Sequence, residues 1–177
     1  MAERALRLFF ALPLPPELQE ALGRWRPAQS PVRWLRPEGL HVTLAFLGDR
    51  PVEALPALER IASPVVARHG AFTLKTAGLG GFPGSERARI LWLGLEPSPA
   101  LESLAGDLRQ ALAAAGEVFD GKAFRAHITL ARLRQPRPLA GMTAPPLAAF
   151  AADRLVLFES GAQGSYTALG TWHLRPV

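Results

Sequence analysis

The sequence predicts an α+β fold of mainly antiparallel sheet with outer helices, arranged as two pseudo-symmetric lobes. Two observations carry this. Apolar and alternating runs come in consecutive groups separated by single helical stretches, whereas a doubly wound parallel sheet would alternate one strand with one helix. A strand-like segment also recurs, as "HVTLAFLG" at 41–48 and "HITLARL" at 127–133, one copy in each half of the chain and 127 − 41 = 86 residues apart.

The elements follow in order. Strands are predicted over 6–12, 40–47, 71–78, 88–95, 125–133, 153–159 and 166–174, where apolar or alternating letters are bounded by Gly and Pro. Helices are predicted over 15–25 and 52–68, the second limited in length by Pro56 and Pro64. The clearest helix begins at Ser98, which can cap it, with Pro99 in the first turn. Leu101, Leu104, Leu108 and Leu112 form its apolar stripe, and Gly116 ends it. The stretch "GLGGFPG" at 78–84 reads as a strand-connecting turn, and 134–150 as a surface connection. No low-complexity linker divides the chain, so residues 1–177 read as a single bilobal domain.

Composition narrows the chemistry. The absence of cysteine excludes disulfides, thiolate metal sites and a cysteine nucleophile, and fits a reducing compartment, so the expected location is the cytoplasm. The apolar run from Leu8 to Leu14 is far short of the roughly 20 residues that a membrane span needs. No membrane partner is expected, and the chain is expected to act as a monomer. Net charge is +5, and only Lys75 and Lys122 among the basic residues are lysines. Arginine's planar fork suits phosphate, so the balance favours a nucleotide or nucleic-acid partner.

Several familiar motifs fail on their letters. Position 83 of "GLGGFPG" is proline where a dinucleotide loop wants glycine, and no Lys-Ser/Thr pair follows for a P-loop. "GAQGSY" at 161–166 lacks the Gly-x-Ser-x-Gly elbow of a serine hydrolase. No two histidines stand at His-x-His or His-x-x-x-His spacing, so no metal is expected. His69 and His173 carry no motif and read as structural residues.

The repeated element survives. Seven threonines in 177 residues give any histidine about a 4% chance of Thr two positions on (7/177), so two of four histidines doing so is not composition. On a strand alternate side chains share a face, so His41 and Thr43 point one way while Val42 and Leu44 anchor the strand, and His127 and Thr129 likewise oppose Ile128 and Leu130. Two histidines opposed across a cleft make an acid–base pair near neutral pH, and two hydroxyls beside them can hold oxygens that gain charge. Such a site can activate water on one side and protonate a leaving group on the other, as displacement at phosphorus requires. The residues themselves do not say which histidine is the acid.

These motifs, with "RLFFALPLPPEL", "RWLRPEGLHVTLAFLG", "GLGGFPGSERARILWLGL", "FRAHITLARL" and "LVLFES", resemble the 2H phosphoesterases, and in particular their RNA 2′,3′-cyclic phosphodiesterase branch, also called 2′-5′ RNA ligases. The resemblance implies hydrolysis of a terminal 2′,3′-cyclic phosphate on RNA to a 2′-phosphate without metal, ATP or other cofactor, possible in reverse as 2′-5′ ligation. It makes His41 the proton donor, His127 the proton acceptor, and Thr43 and Thr129 the phosphate-contacting hydroxyls. Arg132 matches a basic position of the family; regular alternation puts it on the opposite face from Thr129, so that either a twist or bulge brings it to the phosphate or it is a charge on the rim. Phe9, Phe46 and Tyr166 are candidates for stacking a base, against a core role for Phe9 and Phe46. The alternatives are a non-catalytic module binding RNA ends, or the same chemistry on a small cyclic nucleotide or ADP-ribose 1″,2″-cyclic phosphate.

Overall fold

The computed structural model describes residues 4–27 and 32–177. Two antiparallel sheets form its frame. The first has, side by side, β3 (His41–Pro51), β1 (Ala5–Pro13), β8 (Arg154–Ser160) and β9 (Tyr166–His173). The second has β2 (Val32–Trp34), β6 (His127–Arg137), β5 (Ala88–Leu95), β4 (Phe72–Phe82) and β7 (Ala149–Ala152). The expected α+β architecture therefore holds. The lobes are not the two halves of the sequence, however. The last two strands return to the free edge of β1, so the first sheet joins both ends of the chain and the second is built from its middle.

Among the described residues three α-helices accompany the sheets: α1 (Pro16–Trp25), α2 (Leu55–Val66) and α3 (Pro99–Ala114). Helix α3 forms as its letters require. The Ser98 hydroxyl accepts the Leu101 N–H at 3.2 Å, and the chain leaves the helix just before Gly116, whose φ of 77° is in the left-handed region that glycine tolerates. Its four stripe leucines are fully buried, each contributing about 2 kcal/mol of transfer free energy, which outweighs the marginal stability of an isolated helix. Helices α2 and α3 pack on each other, α2 also against β9 and α3 against β3. Pro64 lies inside α2, where it has no N–H to give the Arg60 carbonyl, and the helix ends two residues later. Phe10, Leu8 and Leu12 of β1 join Leu91 and Leu93 of β5 in one hydrophobic cluster that draws on both sheets.

Three expectations change. Residues 78–82 are not a turn but the last part of β4, and the chain turns only after Phe82. The glycines serve close approach: a Cβ on Gly80 would overlap the Trp92 ring of the neighbouring strand, and one on Gly81 would crowd Ala88. The stretch 134–150 is only partly a loop, because β6 runs on to Arg137 and β7 starts at Ala149. The short strand β2 was not expected, since three residues give no window for alternation; the letters just before it fall outside the described residues.

The repeat has a structural meaning beyond its polar letters. Between β1 and β3, Phe10 pairs with Ala45 and Ala11 with Thr43, so Leu44 has no opposite number. Between β5 and β6, Leu91 pairs with Ala131 and Trp92 with Thr129, so Leu130 has none. Each copy of His-x-Thr-Leu-Ala thus carries a β-bulge at its leucine, with two successive buried residues after the threonine. The bulge shifts the alternation by one, and residues beyond it return to the histidine's face. Arg132 is therefore exposed on the same side as His127 and Thr129, not on the opposite one.

Candidate active site

The two repeated strands lie in different sheets and contact each other, which brings their polar faces to one cleft. A cavity of about 470 Å3 has both Thr43 and His127 in its wall, together with Phe46, Phe82, Arg109 and Arg125. His41 lines a smaller neighbouring cavity of about 240 Å3 with Arg36, Phe158 and Tyr166.

Each imidazole is held in the same way. His41 Nδ1 lies 2.7 Å from the Gly39 carbonyl oxygen, and His127 Nδ1 lies 2.6 Å from that of Arg125. A carbonyl can only accept, so Nδ1 carries the proton in both neutral rings and Nε2 is left as the basic nitrogen. In each copy the anchoring carbonyl is two residues upstream, in the chain that leads into the strand. The Thr43 hydroxyl donates to His41 Nε2 at 3.0 Å.

Aromatic rings fix the orientation further. Phe9 lies against His41 at 4.8 Å between ring centroids, and Tyr166 meets it edge-on at 5.3 Å. Phe82 meets His127 edge-on at 5.0 Å, with Trp92 at 6.2 Å. Burial pushes His41 down to about 4; the Gly39 carbonyl works against this, and a charge on His127 adds to it. His127 is also lowered, first by burial, with the Arg125 carbonyl opposing and the Arg125 guanidinium adding to the shift. Burial thus favours the neutral form of both rings in the free protein, and His41 senses a charge on His127.

The copies differ in what surrounds the anchor. Gly39 has no side chain, and a Cβ there would come within 2.9 Å of the Tyr166 ring. Arg125 instead extends a guanidinium over Phe82 and Trp92, at 5.5 and 5.2 Å from their centroids. One histidine thus sits under an aromatic cover and the other beside a cation. Arg109 and Lys122 complete a basic wall of the larger cavity, and Arg109 donates to the Asp120 carbonyl at 3.0 Å, which orders that loop.

The stacking candidates separate. Phe9 is 3% exposed beneath His41 and offers no free face to a base, so its role as a base platform is corrected to that of packing under the imidazole. It is buried on the cleft side of β1 because both of its neighbouring strands place rings there, His41 of β3 and Phe158 of β8. Phe46 is half-buried in the wall of the larger cavity, and Tyr166 half-buried in that of the smaller one. Thr129 follows His127 on the same face of β6. His69 and His173 are remote from the motif strands' histidines in role: His69 Nε2 bonds the Asp107 carboxylate at 2.9 Å, tying the end of α2 to α3, and His173 ends β9. Among the described residues no three His, Cys, Asp or Glu side chains gather as a metal would need.

Sequence reasoning missed Arg125, Phe82, Trp92 and Phe158. Arg125 was within reach, since the strand predicted over 125–133 places it two residues before His127 in alternation with it. The aromatics were not, because their partners are set by strand register.

Fold and site define a bilobal α+β protein with a His-x-Thr strand from each sheet at one cleft. Matching a model of the 2′-5′ RNA ligase superfamily over residues 14–164, the chain belongs to that family. An RNA 2′,3′-cyclic phosphodiesterase of Escherichia coli K12 is 35% identical over 178 residues, covering 95% of this chain and 96% of that protein. One from Geobacillus stearothermophilus is 38% identical over 128 residues, covering 70% of this chain but only 41% of its own length. The crystal structure of E. coli LigT complexed with 3′-AMP is similar with a TM-score of 0.82 at 33% identity, covering 97% of this chain and 99% of that one.

Proposed function

We propose that this chain, acting as a single bilobal domain, hydrolyses 2′,3′-cyclic phosphate at RNA 3′ ends to a 2′-phosphate. The observation that carries the reading is the matched pair of imidazoles, each with Nδ1 tied to the carbonyl two residues upstream and Nε2 left to exchange a proton. Kinship to the cyclic phosphodiesterases supports the substrate.

In the proposed step a water oxygen attacks phosphorus and the bond from phosphorus to O3′ breaks. His127 Nε2 takes the proton from water and His41 Nε2 gives one to the departing O3′. The hydroxyls of Thr43 and Thr129 donate to the non-bridging oxygens, for which the Thr43 proton must turn away from His41. Arg132 contributes phosphate binding at the edge of the site. The terminal nucleoside occupies the cavity walled by Phe46 and Phe82, where an aromatic face can hold the base; Tyr166 covers the His41 side. With a 5′-hydroxyl in place of water, the same step run on the cyclic end makes a 2′-5′ link. Every group in the step belongs to the chain, its substrate or water, so no cofactor is called for.

The direct test is purified protein, an excess of chelator and an oligoribonucleotide with a 2′,3′-cyclic end. The expected product is the 2′-phosphomonoester at undiminished rate; an intact cyclic end would refute the proposal.

The pH dependence follows from the two shifted histidines. The competent free protein carries one proton, on His41, and none on His127. Rate is lost below the lower apparent pKa, where both are protonated, and above the higher, where neither is. Both are lowered from 6.5, so kcat/KM is expected to peak on the acid side of 6.5. A bound phosphodiester anion raises both, so the kcat profile should lie at higher pH than that of kcat/KM. Coincident profiles centred at or above neutrality would contradict this coupling.

A further inference from the structure

We infer that the cavity on the other side of Arg125 from the terminal nucleoside is an acceptor site. It seats a second nucleoside with its free 5′-hydroxyl at His127, so that this hydroxyl, in place of water, attacks the cyclic phosphate. This rests on the phosphodiesterase reading and says where the second reactant of a 2′-5′ joining sits. In the register Gly94 of β5 stands opposite His127, Trp92 opposite Thr129, and Gly80 of β4 opposite Trp92. Opposed residues on neighbouring strands project to the same face, so the face that carries the reacting groups runs on across β5 and β4.

Past Trp92 that face is bare. A cavity of about 540 Å3 is lined there by Gly78 and Gly94, within the usual size of a small-molecule site. A Cβ on Gly78 would meet nothing within 4 Å, and its φ is outside the left-handed region, so neither a turn nor a close approach requires glycine at this position. What the missing side chain leaves is open space. Arg125 divides this cavity from that of the terminal nucleoside: its guanidinium lies over Trp92 of the first and Phe82 of the second, and it lines both. His127 stands where the two meet. Its side chain is in the wall of the second cavity, while its strand partner Gly94 and its neighbour Ala126 are in that of the first.

The chemistry of the walls selects the occupant. Water needs no cavity beyond the reacting phosphate, whereas a larger attacking alcohol must hand its proton to His127 and so must lie on that side. The carboxylates of this cavity are Glu96 and Glu102, both exposed, and among the described residues no cation pairs with either. They repel a phosphate but accept hydrogen bonds from sugar hydroxyls and base amino groups, which fits a neutral nucleoside end. In the step the bond from the acceptor's O5′ to phosphorus forms as the bond from phosphorus to O3′ breaks. The proton of the 5′-hydroxyl goes to His127 Nε2, and O3′ takes one from His41 Nε2, so nothing else is consumed.

The test gives the protein a short oligoribonucleotide with a 2′,3′-cyclic end, together with adenosine as the acceptor. Product then divides between the hydrolysed 2′-phosphate and the oligonucleotide extended by a 2′-5′-linked adenosine, identified against a synthetic standard. The ratio of the two is taken within one reaction, so a loss of folded protein cancels. Gly78→Phe, which fills the cavity, is expected to lower the ratio of joined to hydrolysed product about tenfold, and Gly78→Ala to leave it within about twofold of the wild type. An equal ratio in the wild type and Gly78→Phe, or hydrolysis with no joined product, overturns the acceptor site. A cyclic end left intact by the wild type would instead overturn the phosphodiesterase reading, and this site with it.

Discussion

His41→Ala and His127→Ala are each expected to lower kcat/KM on a cyclic-ended oligoribonucleotide about 10³-fold, within the range that a positioned acid or base supplies. The double variant should fall by about the same amount, not by the product of the two. Proton donation and acceptance occur in one displacement, and a step that has lost one partner gains little from the other. The three variants are compared in single-turnover assays at the wild-type pH optimum, with melting curves as a check on folding. His41 packs on Phe9 and meets Tyr166, so some loss of stability is expected there, and His41→Gln keeps most of that packing without the acid. Substantially retained rate in either alanine variant would remove the paired-histidine mechanism.

Gly80→Ala should be among the most damaging substitutions outside the two motifs, with a stability loss of about 3 kcal/mol from overpacking. The new methyl would overlap the Trp92 ring, over which the Arg125 guanidinium lies and which is near His127. Activity should fall as well, because a displaced Trp92 moves the packing that orients His127. Adding Trp92→Val to Gly80→Ala makes room for the methyl, so the pair should be more stable than the sum of the single effects predicts, by at least 1 kcal/mol on the usual scale of coupling between touching residues. Additive effects in denaturant titrations would show that ring contact is not why position 80 is glycine.

Much of the frame was legible. The leucine stripe of α3, its Ser98 cap and the apolar strands at 6–12 and 88–95 appear close to their predicted bounds, since each depends on period and on neighbouring residues. The glycines at 78–81 misled because turn and close-approach glycines share one letter, and only the position of Trp92 on the next strand tells them apart. The face of Arg132 stayed open for a related reason. Alternation assumes one residue per pleat, and an extra residue in a strand is defined only against its partner.

By itself the sequence determined which side chains can do chemistry here: two His-x-Thr pairs on apolar strands, an arginine-rich chain and no thiol. It also showed the repeat of Leu-Ala after each threonine, although that this marks the same bulge twice is read only from the strand pairing. Tertiary structure alone decided that β8 and β9 close on β1, that Phe9 lies beneath His41, and that Gly94 stands opposite His127. These are contacts between segments distant in the chain. Local propensity acts over a few residues, whereas strand pairing selects partners by the burial each register achieves across the whole sheet.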